Sequence, residues 1–362
     1  MEPYVPETLP LKSLKWEEFI PLIGKANFEL ARYEGILQGI INPSVFLSPL
    51  TTQEAVLSSK IEGTEAILEE VLEYEASPKP GTKKLEDIHE IINYRQSMLY
   101  AVEQLDTHPI TLNLLREIHY MLLDSVRGRN KARGEFRKTQ NFIGKPGATI
   151  KQASYIPPSP ERLMEFLSNL EKYIHYEEKD RLVQLAIIHA QFEIIHPFLD
   201  GNGRIGRILI PLFLFEKKML SSPMFYISAY LEAHRDTYYE RLNDITRNNN
   251  WEEWIIFFLT AVIEQSIANT QRVKNILELY EEMKQKIVQI TKSQFAIKAL
   301  DAIFERPIFS TTEFAKSSGI PKASALRILG ELKEGDILEI IREGKGRRPT
   351  IMVFTRLMTI GE

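Results

Sequence analysis

The sequence predicts a mainly all-α protein with one β-hairpin and a small C-terminal domain of mixed helices and strands. Over most of the chain, apolar side chains recur every three or four residues, which is the spacing of helices that pack on a core. This periodicity fails in a stretch broken by Gly and Pro at residues 127–160, and it changes again from residue 293 onward. The hydrophobic share of 44% and the charged share of 26% are those of an ordinary folded protein.

Length and composition exclude several classes of protein. The 362 residues are enough for about two domains. The net charge of −4 gives no general basic field for nucleic acid, and the absence of cysteine excludes disulfides and thiolate metal sites. The first residues lack the pattern of a signal peptide, and the longest apolar run, residues 208–215, is far too short to span a bilayer. We therefore expect a cytoplasmic protein with no membrane partner.

The helices are bounded by breaks that are visible in the sequence. After a helical stretch at residues 16–38, the Pro- and Ser-containing run NPSVFLSPL from Asn42 predicts a break. Thr51 or Thr52 can cap the next helix, which we expect to run to about residue 76 and to end at the loop SPKPGTKK. Further helices are expected at residues 85–105, 111–123, 160–176, 181–195, 205–218, 230–246 and from 251 toward 290.

Two segments have residue patterns that differ from those of the other helices. Residues 127–160 contain short β-prone pieces and a Pro146-Gly147 turn, so we expect a loop that holds a β-hairpin. Near the end of the helix that begins at residue 251, apolar residues step by three and four like a coiled-coil seam. They are Val273, Ile276, Tyr280, Met283, Ile287 and Ile290. The seam is shorter than three or four heptads, so packing onto the body of the protein is favoured over a dimer seam.

From residue 293 the order of elements is helix, short strand, helix, turn, helix and β-hairpin, which resembles a winged helix-turn-helix domain. Thr311 or Thr312 would cap the second helix. The segment has only two more basic than acidic residues, and acidic residues lie on the expected recognition helix at Glu331 and Glu334. A protein-interaction or packing module is therefore favoured, while a basic wing keeps DNA binding open. The wing residues are Lys345, Arg347 and Arg348.

The stretch HPFLDGNGRIGRILI, residues 196–210, contains the most informative pattern in the chain. Gly201, Gly203 and Gly206 have the G-x-G-x-x-G spacing of a dinucleotide-binding loop. Such a loop needs a strand before its glycines and an acidic residue about 20 positions later. The preceding residues have instead the spacing and composition of a buried helix, and no such acid stands out. The dinucleotide interpretation fails, and an arrangement of helix, tight turn and helix remains.

The residues of this turn suit a polyphosphate. Backbone N–H groups around Asn202 can form an anion nest, at which the next helix also points its free N–H groups. Arg204 and Arg207 share a face of that helix's first turn, where the helix dipole disfavours cations unless a bound anion outweighs it. Asp200 would repel phosphate unless Mg²⁺ lies between them. His196 titrates near neutrality and could take up a proton.

The same stretch resembles the signature of the Fic family, H-P-F-x-D/E-G-N-G/K-R, which HPFLDGNGR matches at every defined position. Arg207 supplies the second arginine often found after it. The run WEEFIPLIGKANFELARYEGIL looks like the N-terminal region of multidomain bacterial members, and RGEFRKTQNFIG…YIPP is similar to the family's flap. The resemblance implies a helical Fic-fold core (106–265), with a β-hairpin flap (about 141–157), between an N-terminal helical region (1–105) and a connecting helix (266–292) and winged helix (293–362).

The resemblance also implies an activity, which is the Mg²⁺-dependent transfer of AMP from ATP to a Tyr, Thr or Ser hydroxyl of a target protein. His196 would deprotonate the target, and Asp200 would hold Mg²⁺. The amides of Gly201, Asn202 and Gly203, with the Asn202 side chain, would bind the α- and β-phosphates, and the helix start from Arg204 through Ile205 and Gly206 to Arg207 would bind the outer phosphates. Tyr238 and, as the better candidate, Tyr239 would lie near the adenine, while Ile156 and Pro157 could line the base from the flap.

A second motif, SSKIEG, resembles the Fic inhibitory helix signature S/T-x-x-x-E-G/N. It places Ser58, Glu62 and Gly63 on an N-terminal helix, at about residues 52–76. In relatives with such a helix, the glutamate pairs with the second motif arginine, here Arg207, and blocks productive placement of the γ-phosphate. Ser58 would brace the helix. In some relatives the same glutamate orients water for the removal of AMP.

The sequence leaves several partners and functions open. An extended segment of a target protein would add to the flap as a strand. Modification of the chain by itself and a homodimer are compatible with the sequence. The alternative functions are a DNA-binding transcriptional regulator that uses the Fic core as a nucleotide sensor, and removal of AMP or transfer of another nucleotide on the same scaffold. His189, on nearly the same helix face as His196, has no zinc-ligand spacing and is expected to be a buried, hydrogen-bonded histidine.

Overall fold

The structure, a computed structural model, describes residues 2–40, 43–79, 81, 84–124, 131–144, 147, 149–346 and 348–361; for 43–47 and 361 only the backbone is described. The α-helices of these residues are α1 (Ile20–Leu37), α2 (Pro43–Ile61), α3 (Leu68–Ala76), α4 (Leu85–Leu105), α5 (Leu112–Leu122), α6 (Leu163–Ile174), α7 (Arg181–Ile195), α8 (Asn202–Glu216), α9 (Ser228–Ala233), α10 (Arg235–Asn248), α11 (Trp251–Thr291), α12 (Ala296–Glu305), α13 (Thr311–Ser317), α14 (Lys322–Glu334) and α15 (Thr355–Gly361). The strands are β1 (Ile308–Ser310), β2 (Glu339–Arg342) and β3 (Ile351–Val353). The predicted mainly α-helical class is confirmed.

The region of α2 and α3 differs from the prediction. Helix α2 begins at Pro43, within the stretch expected to be a break, because proline is tolerated in the first turn of a helix. The helix ends at Ile61, and α3 begins only at Leu68. Gly63 has a φ of +98°, which favours glycine and ends the helical path. The single helix expected to reach residue 76 is therefore two helices, and Glu62 lies in the turn that follows the first.

The chain divides into two compact units, of which the first consists of residues 1–34, 57–63 and 93–267. Its centre is α7, whose side chains are almost all buried and which packs against α6, α8 and α10. Asp180 caps this helix, since its carboxylate accepts hydrogen bonds from the backbone N–H groups of Leu182 and Val183 at 2.9 Å. Because α7 is buried in the core and ends at Ile195, the core fixes the position of the motif, which begins at His196.

The flap lies in the same unit and is less regular than predicted. A single antiparallel bridge joins Ile143 to Tyr155, and no strand forms among the described residues between 131 and 162. The Tyr155 hydroxyl donates a hydrogen bond to the Ile194 carbonyl at 2.7 Å, which fixes this side of the bridge to α7. The predicted Pro146-Gly147 turn lies partly outside the described residues, because Pro146 is not described.

The second unit consists of residues 35–56, 64–92 and 268–362. Its C-terminal part has the predicted order of helix, strand, helix, helix and hairpin, with an antiparallel sheet in the order β1-β3-β2. Helix α13 is capped by Ser310, whose hydroxyl accepts from the Glu313 N–H, and not by Thr311 or Thr312 as expected. Apolar residues of α3 pack on the sheet in one cluster: Leu68, Leu72, Ala76, Ile308, Ile351 and Met358.

Most of the apolar seam of α11 is buried within the chain, and Ile290 at its end is 38% exposed. Val273, Ile276, Met283 and Ile287 are at most 1% exposed. The Tyr280 hydroxyl donates to Asp301, and its ring stacks edge-on with Phe304 of α12. Packing onto the chain itself, the favoured alternative, is confirmed. Among the described residues, none of the helices combines the length and the apolar character that crossing a bilayer requires.

Candidate active site

His196 ends α7 and faces a cavity of about 510 Å³. Its backbone is left-handed, with φ 49° and ψ 61°, because the following proline disfavours a helical conformation. The ring Nδ1 lies 3.3 Å from the Glu193 carbonyl, to which it donates as an N–H, so Nε2 carries the lone pair. Burial lowers the pKa of His196 to about 4, which keeps the ring neutral near pH 7. A neutral ring with a free lone pair on Nε2 is able to accept a proton.

Arg137 holds the unusual backbone of the motif in place. Its Nε donates to the His196 carbonyl at 2.9 Å and its Nη2 to the Pro158 carbonyl at 2.5 Å, while its backbone N–H donates to the Pro197 carbonyl. The side chain is 2% exposed, and burial lowers its pKa to about 10. Arg137 therefore links the segment before the flap, the residue after the flap and the motif by hydrogen bonds.

The motif turn is closed by its own side chains. Asn202 accepts a hydrogen bond from the Phe198 N–H at 2.8 Å and donates one to the Phe198 carbonyl at 2.9 Å. Its side chain is thus committed to the turn. Gly201, with φ +80°, provides the left-handed residue that precedes the helix. The Asp200 carboxylate accepts from the Gly201 N–H at 2.6 Å and lies 3.5 Å from Arg204 Nη2.

His119 of α5 packs against this turn and forms a hydrogen bond with its backbone. Its ring stacks on Phe198, with centroids 3.9 Å apart and an angle of 15°. Nδ1 accepts from the Gly134 N–H, so Nε2 donates to the Asp200 carbonyl at 3.1 Å. Burial lowers the pKa of His119 to about 4, so this pattern of donor and acceptor persists in the neutral ring. The histidine fixes the backbone of the residue expected to hold the metal.

Arg207, on the first turns of α8, is bound by the end of α2. Its Nε donates to Ser58 Oγ at 2.8 Å, and its Nη2 donates to the Ser58 carbonyl at 2.8 Å and to Glu62 Oε1 at 2.6 Å. Arg207 is 1% exposed. Burial alone would raise the pKa of Glu62, but Arg207 outweighs this effect and holds that pKa below its ordinary value. The pair is therefore a charged one.

The second and third glycines of the motif make room for carboxylates. A Cβ at Gly203 would collide with Glu62 Oε1, and a Cβ at Gly206 would collide with Glu193 Oε1. Glu62, from the turn after α2, and Glu193, from α7, thus approach α8 at positions three apart. The G-x-G-x-x-G spacing, which is also that of a dinucleotide loop, is explained here by one tight turn and two close contacts with carboxylates.

Glu193 is an ionisable group that the motif does not include. It lines the cavity together with Glu62, His196 and Arg207, and its Oε1 is shielded from solvent without a hydrogen-bond partner in the described part of the chain. Burial raises the pKa of Glu193 to about 8, and nearby Glu62 raises it further while Arg207 opposes both. Two carboxyls therefore face one cation, and the one without a partner is neutral near pH 7.

The other end of the cavity is formed by α10 and the flap. Its walls are Phe142, Ile143, Gly144, Ser154, Tyr155, Tyr238, Tyr239, Leu242, Asn243 and Thr246. Tyr239 is 38% exposed and presents its ring to the cavity, whereas Tyr238 is buried and its hydroxyl bonds to His189 Nε2 at 2.9 Å. His189 is, as expected, a buried, hydrogen-bonded histidine; its Nδ1 lies 3.0 Å from the Gly206 carbonyl, and burial lowers its pKa to about 3.

The structure brings together part of the residue set predicted from the sequence. Glu62, His196, Gly203, Arg207, Tyr238 and Tyr239 line one cavity, whereas Ser58, Gly63, Asp200, Gly201, Asn202, Arg204, Ile205 and Gly206 lie around it without lining it. Ile156 and Pro157 are buried and do not line the cavity; the flap residues that do are their neighbours. Sequence reasoning missed Glu193, Arg137, His119, Asn243 and Thr246. Glu193 alone had a local clue, because it lies one helical turn before His196.

Comparison with known proteins identifies the family. Residues 20–103 match the N-terminal domain of the Fic/DOC family, and residues 109–214 match the Fic/DOC family itself. The second match contains the flap, α7 and the complete motif turn. The chain belongs to the Fic/DOC family.

Named relatives include bacterial and insect proteins. A probable protein adenylyltransferase of Aquifex aeolicus is 23% identical over 308 residues, which is 84% of this chain and 86% of the relative. The protein adenylyltransferase Fic of Culex quinquefasciatus is 32% identical over 168 residues, 44% of this chain and 30% of that protein. The chain therefore spans most of the bacterial relative but less than a third of the insect one.

Solved structures share the fold. A Fic family protein from Desulfovibrio desulfuricans superposes with a TM-score of 0.60 at 17% identity, with 98% of each chain covered. A Fic domain-containing signalling protein from Bacteroides thetaiotaomicron superposes with a TM-score of 0.56, also at 17% identity, covering 70% of this chain and 97% of that one. At these identities the similarity shows the Fic fold of this chain.

Proposed function

We propose that this protein is an auto-inhibited protein adenylyltransferase, which transfers AMP from ATP to a hydroxyl of a target protein. The observation that carries the proposal is the neutral His196 at one end of a cavity whose phosphate-binding arginine, Arg207, is held by Glu62. A base, an anion-binding helix start and an inhibitory contact occur together in a chain whose relatives are named as adenylyltransferases.

In the proposed reaction, His196 Nε2 accepts the proton of the target hydroxyl. The hydroxyl oxygen then forms a bond to the α-phosphorus, and the bond from that phosphorus to the β-phosphate oxygen breaks. Pyrophosphate leaves with the electron pair, and the protonated histidine returns its proton to solvent. The pyrophosphate is stabilised by the N–H groups that begin α8 and by Arg204 and Arg207, since positioning and charge stabilisation carry such transfers.

Asp200 is the residue that would hold Mg²⁺. Its carboxylate is a hard oxygen ligand beside the anion-binding turn, and its side chain is 41% exposed. The described residues contain no group of three or more His, Cys, Asp or Glu side chains that could hold a metal, so the nucleotide phosphates would supply further ligands. Mg²⁺ is commonly bound in this way, through one or two carboxylates and phosphates. When bound, it would neutralise charge on the phosphates.

Glu62 supplies the proposed inhibition. While it is bonded to Arg207, the arginine cannot bind an outer phosphate, and its carboxylate would itself repel that phosphate. Lys60 Nζ, two residues earlier, lies 3.2 Å from Glu232 Oε1. This ion pair is a second contact that holds the end of α2 in place. Activation would require the end of α2 to move or Glu62 to turn away.

The flap is the proposed docking site for the target. Phe142 and Ile143 expose about two fifths of their surface beside the cavity, and a single bridge leaves the backbone around them available to an extended segment. This edge would bring a target hydroxyl toward His196.

The proposal is tested with labelled ATP and the full-length protein. We expect Glu62→Gly to transfer label to itself or to lysate proteins, and Glu62→Gly with His196→Ala to transfer none. Glu65→Gly is the matched control, because Glu65 is exposed three residues further along and should leave transfer at the wild-type level. If Glu62→Gly binds ATP but transfers no AMP, adenylyl transfer is the wrong reaction; removal of AMP from a labelled target would then point to a hydrolase.

DNA binding is not proposed as the main function. On α14, Arg327 is paired with Glu331 at 2.6 Å, and Arg342 at the end of β2 donates to Ser77 Oγ at 2.7 Å and lies near Glu73. These basic side chains are engaged within their own unit, and Arg347 of the expected wing lies outside the described residues.

A further inference from the structure

A second carboxyl lies in the cavity with Arg207, and it has no role in the proposed reaction. Glu193 is on α7, one turn before His196, and it lines the same cavity as Arg207. Its carboxyl rests against the backbone of α8 at Gly206, where any side chain would collide with it. The shape of the motif helix thus accommodates this carboxyl one residue before Arg207.

Among the described residues that face Glu193, one cation, Arg207, is a potential ionic partner. From its own helix, His189 uses both ring nitrogens, for the Gly206 carbonyl and the Tyr238 hydroxyl, and His196 is neutral. From α10, Tyr238 and Tyr239 are neutral because burial raises their pKa values. The charged groups are Glu62 and Arg207, and Glu62 already occupies the arginine.

We propose that Glu193 is a positioning residue of the nucleotide site: a second acceptor for Arg207, which pairs with the arginine when Glu62 withdraws and competes with the outer phosphates of the nucleotide for it. The inference rests on the proposed function, because it assumes that the cavity binds a nucleoside triphosphate. Glu62 and Glu193 then act in sequence, the first as the removable inhibitor and the second as a fixed one.

The competition depends on the proton of Glu193. A neutral carboxyl tolerates an adjacent phosphate and can donate a hydrogen bond to it, whereas a carboxylate repels the phosphate and attracts Arg207. Because burial raises the pKa of Glu193 to about 8, the group ionises just above neutral pH. In the Glu62→Gly variant this pKa falls, since the charge of Glu62 is one of its causes, so ionisation sets in earlier. ATP affinity is therefore expected to fall as the pH rises.

The test is a binding titration of full-length Glu62→Gly and Glu62→Gly/Glu193→Gln with Mg-ATP at pH 7 and pH 9. Both values lie above the second phosphate pKa of about 6, so the nucleotide's own charge changes little. For a carboxyl with a pKa of 8, affinity falls about tenfold over this range, and it falls further for the lower pKa expected without Glu62. The glutamine variant should change less than about twofold. Glutamine has the same shape as protonated glutamate, so the variant is expected to fold. AMP, which has no outer phosphates, serves as the matched ligand and should bind equally at both pH values.

Steady-state kinetics give a second readout that a merely structural role would not move. At pH 9, Glu193→Gln in the Glu62→Gly background should lower the KM for ATP by at least about tenfold and leave kcat unchanged. Equal pH dependence of ATP binding in the two variants overturns the role of Glu193, whatever the transfer assay shows. Binding that follows the expected pattern without any AMP transfer supports the role of Glu193 and contradicts only the proposed reaction.

Discussion

Glu62 Oε1 lies 2.6 Å from Arg207 Nη2. The same oxygen lies beside Gly203, where the Cβ of any other residue would collide with it. The two residues are 145 positions apart, yet the arginine also takes both Ser58 Oγ and the Ser58 carbonyl from the same helix end. Three hydrogen bonds to one buried guanidinium hold the end of α2 and the turn that follows it against α8. The proposed inhibition and its removal both depend on this contact.

Ser58→Ala should weaken the inhibition without abolishing it. The change removes one of three hydrogen bonds and leaves Arg207 Nε without a partner, which costs about 1–3 kcal/mol for a buried polar group. We expect a lower unfolding free energy and an AMP-transfer rate between those of the wild type and Glu62→Gly, measured by urea denaturation and label transfer.

Ser59→Ala is the matched control for that variant. Ser59 is the neighbouring buried serine, and its hydroxyl has no hydrogen-bond partner in the described part of the chain. It should leave the transfer rate unchanged. Equal effects of the two substitutions would show that helix perturbation, and not the bond to Arg207, relieves inhibition.

Gly206→Ala should destabilise the protein through Glu193. The new Cβ would collide with Glu193 Oε1, and overpacking of this kind costs about 1–3 kcal/mol. A Glu193→Ala background removes this collision and leaves only a close contact with His189 Cε1 at 3.3 Å. The same change should then cost at least about 0.5 kcal/mol less, measured as a coupling free energy by urea denaturation.

Gly24→Ala on α1 controls for the general effect of replacing a helical glycine. A Cβ there meets nothing within 4 Å, and the substitution should stabilise by about 0.5–1 kcal/mol. Additive effects of Gly206→Ala and Glu193→Ala would refute the contact between these two residues.

Much of the site could be predicted from sequence, because it is local. The end of α7 at His196 follows from the proline after it, and the glycine turn and helix start follow from residues within ten positions of one another. The contact of Glu62 with Arg207 could not follow from spacing and was expected only from the resemblance to Fic proteins. The end of α2 at Ile61 was missed because helical composition continues through the turn at Gly63.

The supporting residues could not be predicted, since their roles arise from tertiary packing. Nothing near Arg137 or His119 in the sequence indicates that one would hold the His196 carbonyl and the other stack on Phe198. Gly206 was assigned to phosphate binding by its place in the motif, whereas the structure places it against the carboxyl of Glu193. The same glycine pattern can therefore serve turn geometry and side-chain clearance together.

The rate of AMP transfer should stay high on the acid side of neutrality. Burial lowers the pKa of His196 to about 4, so its neutral, proton-accepting form persists until the pH approaches that value. For Glu62→Gly at saturating ATP, kcat is expected to be flat from pH 7.5 to about 5.5 and to fall near pH 4. A kcat that halves near pH 6.5, the pKa of an ordinary histidine, would contradict the buried neutral base.

Folding stability should fall in acid because of two buried histidines. The pKa of His119 is lowered to about 4 and that of His189 to about 3, so both bind fewer protons in the folded than in the unfolded state. Their stabilisation is present above the unfolded pKa of about 6.5 and is lost as the pH falls toward the folded values. Between pH 7 and pH 5 each should lose about 2 kcal/mol, measured by urea denaturation.

His119→Gln separates this effect from general acid destabilisation. Glutamine does not titrate, so the variant should lose about 2 kcal/mol less between pH 7 and pH 5 than the wild type does. If the two proteins lose the same unfolding free energy, His119 is not the buried neutral group described.

The most direct test of the central claim is the initial rate of AMP transfer by Glu62→Gly relative to wild type at saturating Mg-ATP. A hydrogen bond to a charged group contributes about 1.5–3 kcal/mol, so release of Arg207 should raise the rate about 10- to 150-fold. The increase should disappear when His196→Ala is added. Equal rates for wild type and Glu62→Gly, with both proteins folded and binding ATP, would contradict the claim that Glu62 withholds Arg207 from the nucleotide.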